Sequence, residues 1–97
     1  MVRRIIWGQI AIDDKFQIFH YWDNRNKSKQ FSKKLNRLLN NATNLIGKHP
    51  FIGKKTDMPN IRIKIVKDYF LVYEIMKDKI FILRIWDTRR NPDKLKY

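Results

Sequence analysis

Residues 61–86, IRIKIVKDYFLVYEIMKDKIFILRIW, limit the fold more than any other stretch. Three runs rich in β-branched and aromatic residues are broken at Lys67-Asp68 and again at Lys77-Asp78. Such side chains fit a pleated, half-buried surface. Breaks this short suit hairpins, although neither contains a glycine. The expectation is a three-stranded antiparallel meander, and a sheet of this kind needs a cover over its apolar face.

The first half of the chain supplies that cover. RRIIW is a short strand candidate. From about Gln9 to Arg25, Ile12, Phe16, Phe19 and Trp22 recur at helical spacing and form one stripe. After NRNKS, with Ser28 as N-cap, Phe31, Leu35, Leu38, Ala42 and Leu45 mark a second helix running to about Ile46. Gly47 stands where a left-handed C-cap belongs, and Pro50 prevents resumption. So short a connection makes the helices antiparallel, with Trp22 and Leu38 joining them to the sheet. Between the halves lies KHPFIGKKTDMPN, a basic loop. The fold class is α+β: an N-terminal strand and an antiparallel helical hairpin packed on an antiparallel sheet of three to four strands. At 97 residues the chain is one domain, 1–97, too short for two cores.

Charge narrows the partners. Lys and Arg total 22 against 9 acidic residues, a net +13. Between Asn24 and Thr56 there are nine Lys or Arg and no acid at all. A surface like this attracts polyanions over long range. Nucleic acid, the ribosome or an acidic protein fit; a membrane does not, because both helix stripes are needed by the core. A generic solvated basic surface is the plain alternative. No apolar run approaches the roughly 20 residues of a membrane helix. Asp13-Asp14 come too early for a signal peptide, and cysteine is absent. The expectation is a soluble, cytoplasmic protein without disulfides or thiolate zinc.

The usual catalysts are also missing. His20 and His49 have no metal-ligand neighbours at suitable spacing. Asp13 and Asp14 are adjacent, so on a helix they diverge by about 100° and suit the helix N-terminal end rather than acid–base pairing. No P-loop, dinucleotide fingerprint or HExxH occurs, which argues against a metal or cofactor. What remains is basic residues on strands. Alternation sends Ile61, Ile63 and Ile65 to one face and Arg62, Lys64 and Val66 to the other. With the isoleucines against the helices, Arg62 and Lys64 stand on the open face, shared with Arg84 and capped by Arg89-Arg90. Such residues can hold phosphate and stabilise transition-state charge without a metal, and Tyr73 or Tyr97 could stack on a base or move a proton. A merely solvated sheet face is equally compatible with the spacing.

The order strand, helical hairpin, basic loop and meander, with HPFIGKKTD, IRIKIVKDYFLVYEI and IWDTRRNP, resembles the RelE/ParE superfamily of bacterial type II toxin–antitoxin toxins. The resemblance spans essentially residues 3–95 and is carried by Arg62, Lys64, Tyr69, Tyr73 and Glu74, followed by a strand and an arginine pair. It implies a growth inhibitor neutralised by a co-encoded acidic antitoxin, reaching operator DNA only through that complex. It also implies two alternative targets, DNA gyrase for ParE-like members and messenger RNA in the ribosomal A site for RelE-like ones. In the RelE-like case Arg62, Lys64, Arg90 and Tyr97 (displaced by one residue) are the catalytic set of a metal-independent endoribonuclease. The arginine that pattern expects on the next strand falls on Phe70. Arg84, Arg89, Arg90, Lys54 and Lys55 are the candidates for binding antitoxin or target. Phe70, the long helices and the YWDNRNKS turn lean toward ParE-like gyrase inhibition; the RelE-like nuclease is the alternative. A non-catalytic nucleic-acid-binding module is the third reading, and it lacks the aromatic platform of single-strand binders.

Overall fold

A computed structural model describes residues 2–97. The chain forms β1 (Arg4–Trp7), α1 (Gln9–Asn26), α2 (Gln30–Lys48), a 3₁₀ turn over Pro50–Ile52, β2 (Lys54–Lys55), β3 (Ile61–Val66), β4 (Tyr69–Ile75) and β5 (Lys79–Asp87). The α+β class, the helical hairpin and the antiparallel meander are as expected. Two features of the sheet differ: it has five strands in the order β1-β5-β4-β3-β2, and β1 runs parallel to β5. Parallel neighbours need a long connection, and here the whole intervening chain provides it. Lys67 takes up the left-handed conformation at the β3–β4 turn (φ 55°) in place of a glycine.

Cross-strand register decides which face is which. Arg62, Lys64 and Val66 stand opposite Tyr73, Leu71 and Tyr69, and directly opposed residues share a face. Leu71, Tyr73, Tyr69 and Val66 belong to the core with Leu35, Leu39, Ala42 and Ile46 of α2. The expected facing of β3 is therefore reversed: Arg62 and Lys64 lie on the helix side, and Ile65 is 61% exposed on the other. A register shift at Val72/Tyr73 keeps both Ile82 and Ile85 of β5 pointed inward and turns Arg84 and Trp86 outward.

The helix stripes are offset too. On α2 the buried line is Leu35, Leu39, Ala42 and Ile46, with Leu38 packed at its margin and Leu45 exposed. On α1 only Ala11 is buried, while Phe16 is 61% exposed. Trp22 is half-buried and donates from Nε1 to the Tyr69 hydroxyl at 2.8 Å. Ser28 lies one residue before the N-cap Lys29, where its Oγ accepts the Gln30 N–H. Gly47 is no left-handed cap, since no glycine has positive φ. It lies inside α2, where a Cβ would sit 2.8 Å from the Arg3 carbonyl oxygen. Gly8 meets the same constraint at the entry to α1, 2.7 Å from the Phe81 ring.

Leu39→Ala is expected to cost about 2–5 kcal/mol, as fully buried Leu truncations do, and Leu38→Ala distinctly less. Denaturant unfolding of the two variants checks this; an equal or larger loss for Leu38→Ala would contradict the facing of α2.

Candidate functional site

Tyr69, Tyr73 and Arg62 of the quoted pattern hold the scaffold together. Tyr73 is fully buried. Its hydroxyl donates to the Pro50 carbonyl at 2.7 Å and accepts the Gly53 N–H at 2.9 Å. Burial pushes its phenol above the ordinary value, and with no exposed surface the ring has no face on which a base could stack. Arg62 donates from Nη1 to the carbonyls of Phe51 (3.0 Å) and Gly53 (2.9 Å) and lies over the Phe51 ring. The two side chains together pin residues 50–53. Gly53 is required by close approach, for a Cβ there would lie 2.5 Å from the Tyr73 oxygen.

Pinning that loop sets β2 against β3, with Lys54 opposite Ile63 and Lys55 opposite Arg62. Beside it opens a cavity of about 620 Å³ lined by Lys54, Lys55, Lys64, Ile65, Phe70 and Tyr97, among others. Four of the candidate site residues, Lys54, Lys55, Lys64 and Tyr97, thus meet here. Phe70 contributes apolar surface where the nuclease pattern expects a guanidinium. Tyr97 donates its hydroxyl to Asp57 at 3.2 Å. Lys54, Lys55 and Lys64 have no side-chain hydrogen bond or ion pair among the described residues. The result is an apolar floor with a cationic rim, to which exposed Ile52 also contributes.

The arginines beyond β4 lie elsewhere. Pairing of β5 with β1 ends at Ile82, which leaves the next stretch of β5 as a bare edge. Asp14 covers it: one carboxylate oxygen accepts the Ile85 N–H (3.0 Å) and Arg84 Nε (2.8 Å), and the other accepts Arg84 Nη2 at 3.2 Å. Asp14 is thus an edge cap rather than a helix-dipole partner, and Arg84 is tied to it. Arg89 forks onto Asp87 at 3.0 and 2.8 Å, which holds the Asp87 carboxyl below its usual range. Arg90 stacks on Trp86 at 4.2 Å. Arg89 and Arg90 border a hollow of about 420 Å³ with Tyr21, Tyr69 and Asp14. Lys64 and Arg90 therefore line different hollows. Among the described residues no three His, Cys, Asp or Glu side chains converge as metal ligands.

Sequence reading missed Asp14 and Tyr73 as anchors. Alternation gave a usable signal only for Tyr73, which lies in phase with Tyr69 and Leu71. Tyr73→Phe should leave the Pro50 carbonyl and the Gly53 N–H buried without partners, costing about 1–3 kcal/mol. Unfolding by denaturant measures the loss, and the Gly53 amide should exchange faster with solvent. An unchanged Gly53 exchange rate would mean the loop is held by something else.

A family model described as ParE toxin of type II toxin–antitoxin system, parDE, matches residues 5–92. Among solved structures, a chain from the chromosomal ParDE toxin–antitoxin system of P. aeruginosa is similar in fold, with TM-score 0.78 and 14% identity. The match covers 91% of this chain and 98% of that one. No curated protein matches.

Proposed function

We propose that this chain, which belongs to the ParE toxin family of type II toxin–antitoxin systems, arrests growth in the cytoplasm by inhibiting DNA gyrase. One observation carries the reading: the basic set a ribonuclease would need is not assembled. Arg62 is committed to two loop carbonyls, Phe70 stands where a guanidinium is expected, and Lys64 and Arg90 line separate hollows. A phosphoryl-transfer transition state needs its charge-stabilising donors aimed at one point. The same surface suits a protein target, since it offers apolar area ringed by unpaired cations. No described helix is long and apolar enough to cross a membrane.

The antitoxin is the second part of the proposal. Its docking place is the cavity beside β2, with Lys54, Lys55 and Lys64 taking up acidic side chains and Phe70 and Ile65 taking apolar ones. The β2 strand covers β3 only at Arg62 and Ile63, so the edge of β3 from Lys64 onward is open to strand addition. The Arg89-Arg90 end is the other candidate contact, with Arg90 its more available cation. Association should be steered by charge, with an on-rate that falls steeply as salt shortens the Debye length below about 10 Å. An on-rate indifferent to salt would argue against an acidic partner at this rim.

Purified protein assayed side by side on gyrase and on translating ribosomes tests the target. Loss of gyrase supercoiling with messenger RNA intact is the expected result. Ribosome-dependent RNA cleavage that drops by about 10²–10³ in Lys64→Ala or Arg90→Ala, with gyrase untouched, would overturn it in favour of the nuclease.

A further inference from the structure

The outward face of α2 has no part in the site described above, and its composition is unlike that of an ordinary solvated helix. At about 100° per residue, the positions within about 60° of Arg37 carry four cations, Lys33, Lys34, Arg37 and Lys48, and otherwise only side-chain amides such as Asn41 and Asn44. All six of these residues are exposed. None makes a side-chain hydrogen bond or ion pair among the described residues.

Exposed helices commonly mix signs, because opposite charges three or four residues apart stabilise and like charges destabilise. On α2 Lys33 and Arg37 are four apart and Lys34 and Arg37 three apart, with no acid to offset them. The first turn contains no acidic residue either, so Lys33 and Lys34 crowd the end where the helix dipole is already positive. This face is electrostatically unfavourable until an anion neutralises it.

We propose that the outer face of α2 is a docking surface for double-stranded DNA, engaging its phosphate backbone without reading sequence. A protein partner fits less well, since protein interfaces have an apolar core and are depleted in Lys, and this face has no apolar residue at its centre. Single-stranded nucleic acid fits less well because no aromatic ring lies on the face for bases to stack on. Lys, Arg and Asn are the donors that backbone contacts use. Lys33 to Lys48 spans about 22 Å of helix, enough to follow several phosphates. A helix about 10–12 Å across matches the major groove of B-DNA, whereas that groove in A-form RNA is too narrow. No residue of α2 lines the Lys54–Tyr97 cavity, which is built from β2, β3, β4 and the C-terminal segment, so both can be occupied together. Nothing in this inference depends on gyrase being the target.

Fluorescence anisotropy of a 20-base-pair DNA duplex with the purified chain, titrated at several salt concentrations, tests it. Lys33→Gln/Arg37→Gln/Lys48→Gln removes three charges from the face, while Lys67→Gln/Lys77→Gln/Lys94→Gln removes three exposed charges elsewhere. The α2 variant should lose about tenfold or more in affinity, and its slope of log affinity against log salt should shrink by roughly two to three, given about 0.9 per phosphate contact. The control variant should stay close to the parent. Equal losses in the two variants would overturn the proposal by showing a diffuse charge effect. So would an absence of binding to duplex DNA, or binding to double-stranded RNA or polyglutamate as tight as to DNA. Melting temperatures at or above that of the parent show that loss of folding is not the cause.

Discussion

The hydroxyl of Tyr73 is the contact on which the presented surface depends. It lies at the bottom of the core, yet it is the point where the chain leaving α2 is fastened to the sheet. Without it the turn at Pro50–Ile52 has a buried carbonyl and a buried N–H with nowhere to bond, and such groups are costly in a protein interior. With it, and with Arg62 holding the Phe51 and Gly53 carbonyls, the two-residue strand β2 has a fixed register on β3. The cationic rim at Lys54 and Lys55 is a consequence of that register. A core tyrosine and a half-buried arginine thus determine the geometry of a surface that neither of them forms.

Charge in this molecule divides into two populations. Arg3, Arg62, Arg84 and Arg89 are spent on the scaffold, donating to the Met76 carbonyl, the 51–53 loop, Asp14 and Asp87 respectively. Planar guanidinium forks suit such multiple bonds, which ammonium groups do not match. The lysines at the β2 edge and on α2 are left free, and only two ion pairs form among the described residues. A net +13 therefore stands largely uncompensated, which favours solubility but repels itself. The folded toxin gains stability from any polyanion that binds it, since a ligand of the native state adds to its stability by mass action. An acidic antitoxin and a DNA duplex would each relieve the repulsion at a different place.

The meander and the helical hairpin were legible because they are local: β-rich runs, short breaks and helical spacing. The facing of β3 was not, for a physical reason. Both faces of this sheet carry apolar residues, with Leu71 and Tyr73 on one side and Val72 and Trp86 on the other, all buried. The C-terminal segment returns over the second face, where Arg84 reaches the Lys96 carbonyl and Tyr97 reaches Asp57. Alternation separates the faces but cannot say which one meets the helices. Gly47 misled for a related reason: it is small because Arg3 lies against it, a contact across more than forty residues of chain. The parallel pairing of β1 and the capping of the β5 edge by Asp14 are likewise long-range. Of the candidate residues legible in the sequence, Lys54, Lys55, Lys64 and Tyr97 line one cavity. Arg62 and Arg84, candidates on the same grounds, bond instead to the 51–53 loop and to Asp14.

That the basic–aromatic pattern of the meander is structural before it is chemical can be measured directly. The unfolding free energies of Arg62→Ala, Tyr73→Phe and the double variant form a cycle around the Pro50–Gly53 loop. Because both side chains fasten one segment, the cycle should be non-additive by about 0.5–3 kcal/mol, and the Gly53 amide should exchange faster with solvent in each variant. Effects that add within a few tenths of a kcal/mol, together with an unchanged Gly53 exchange rate, would contradict the account.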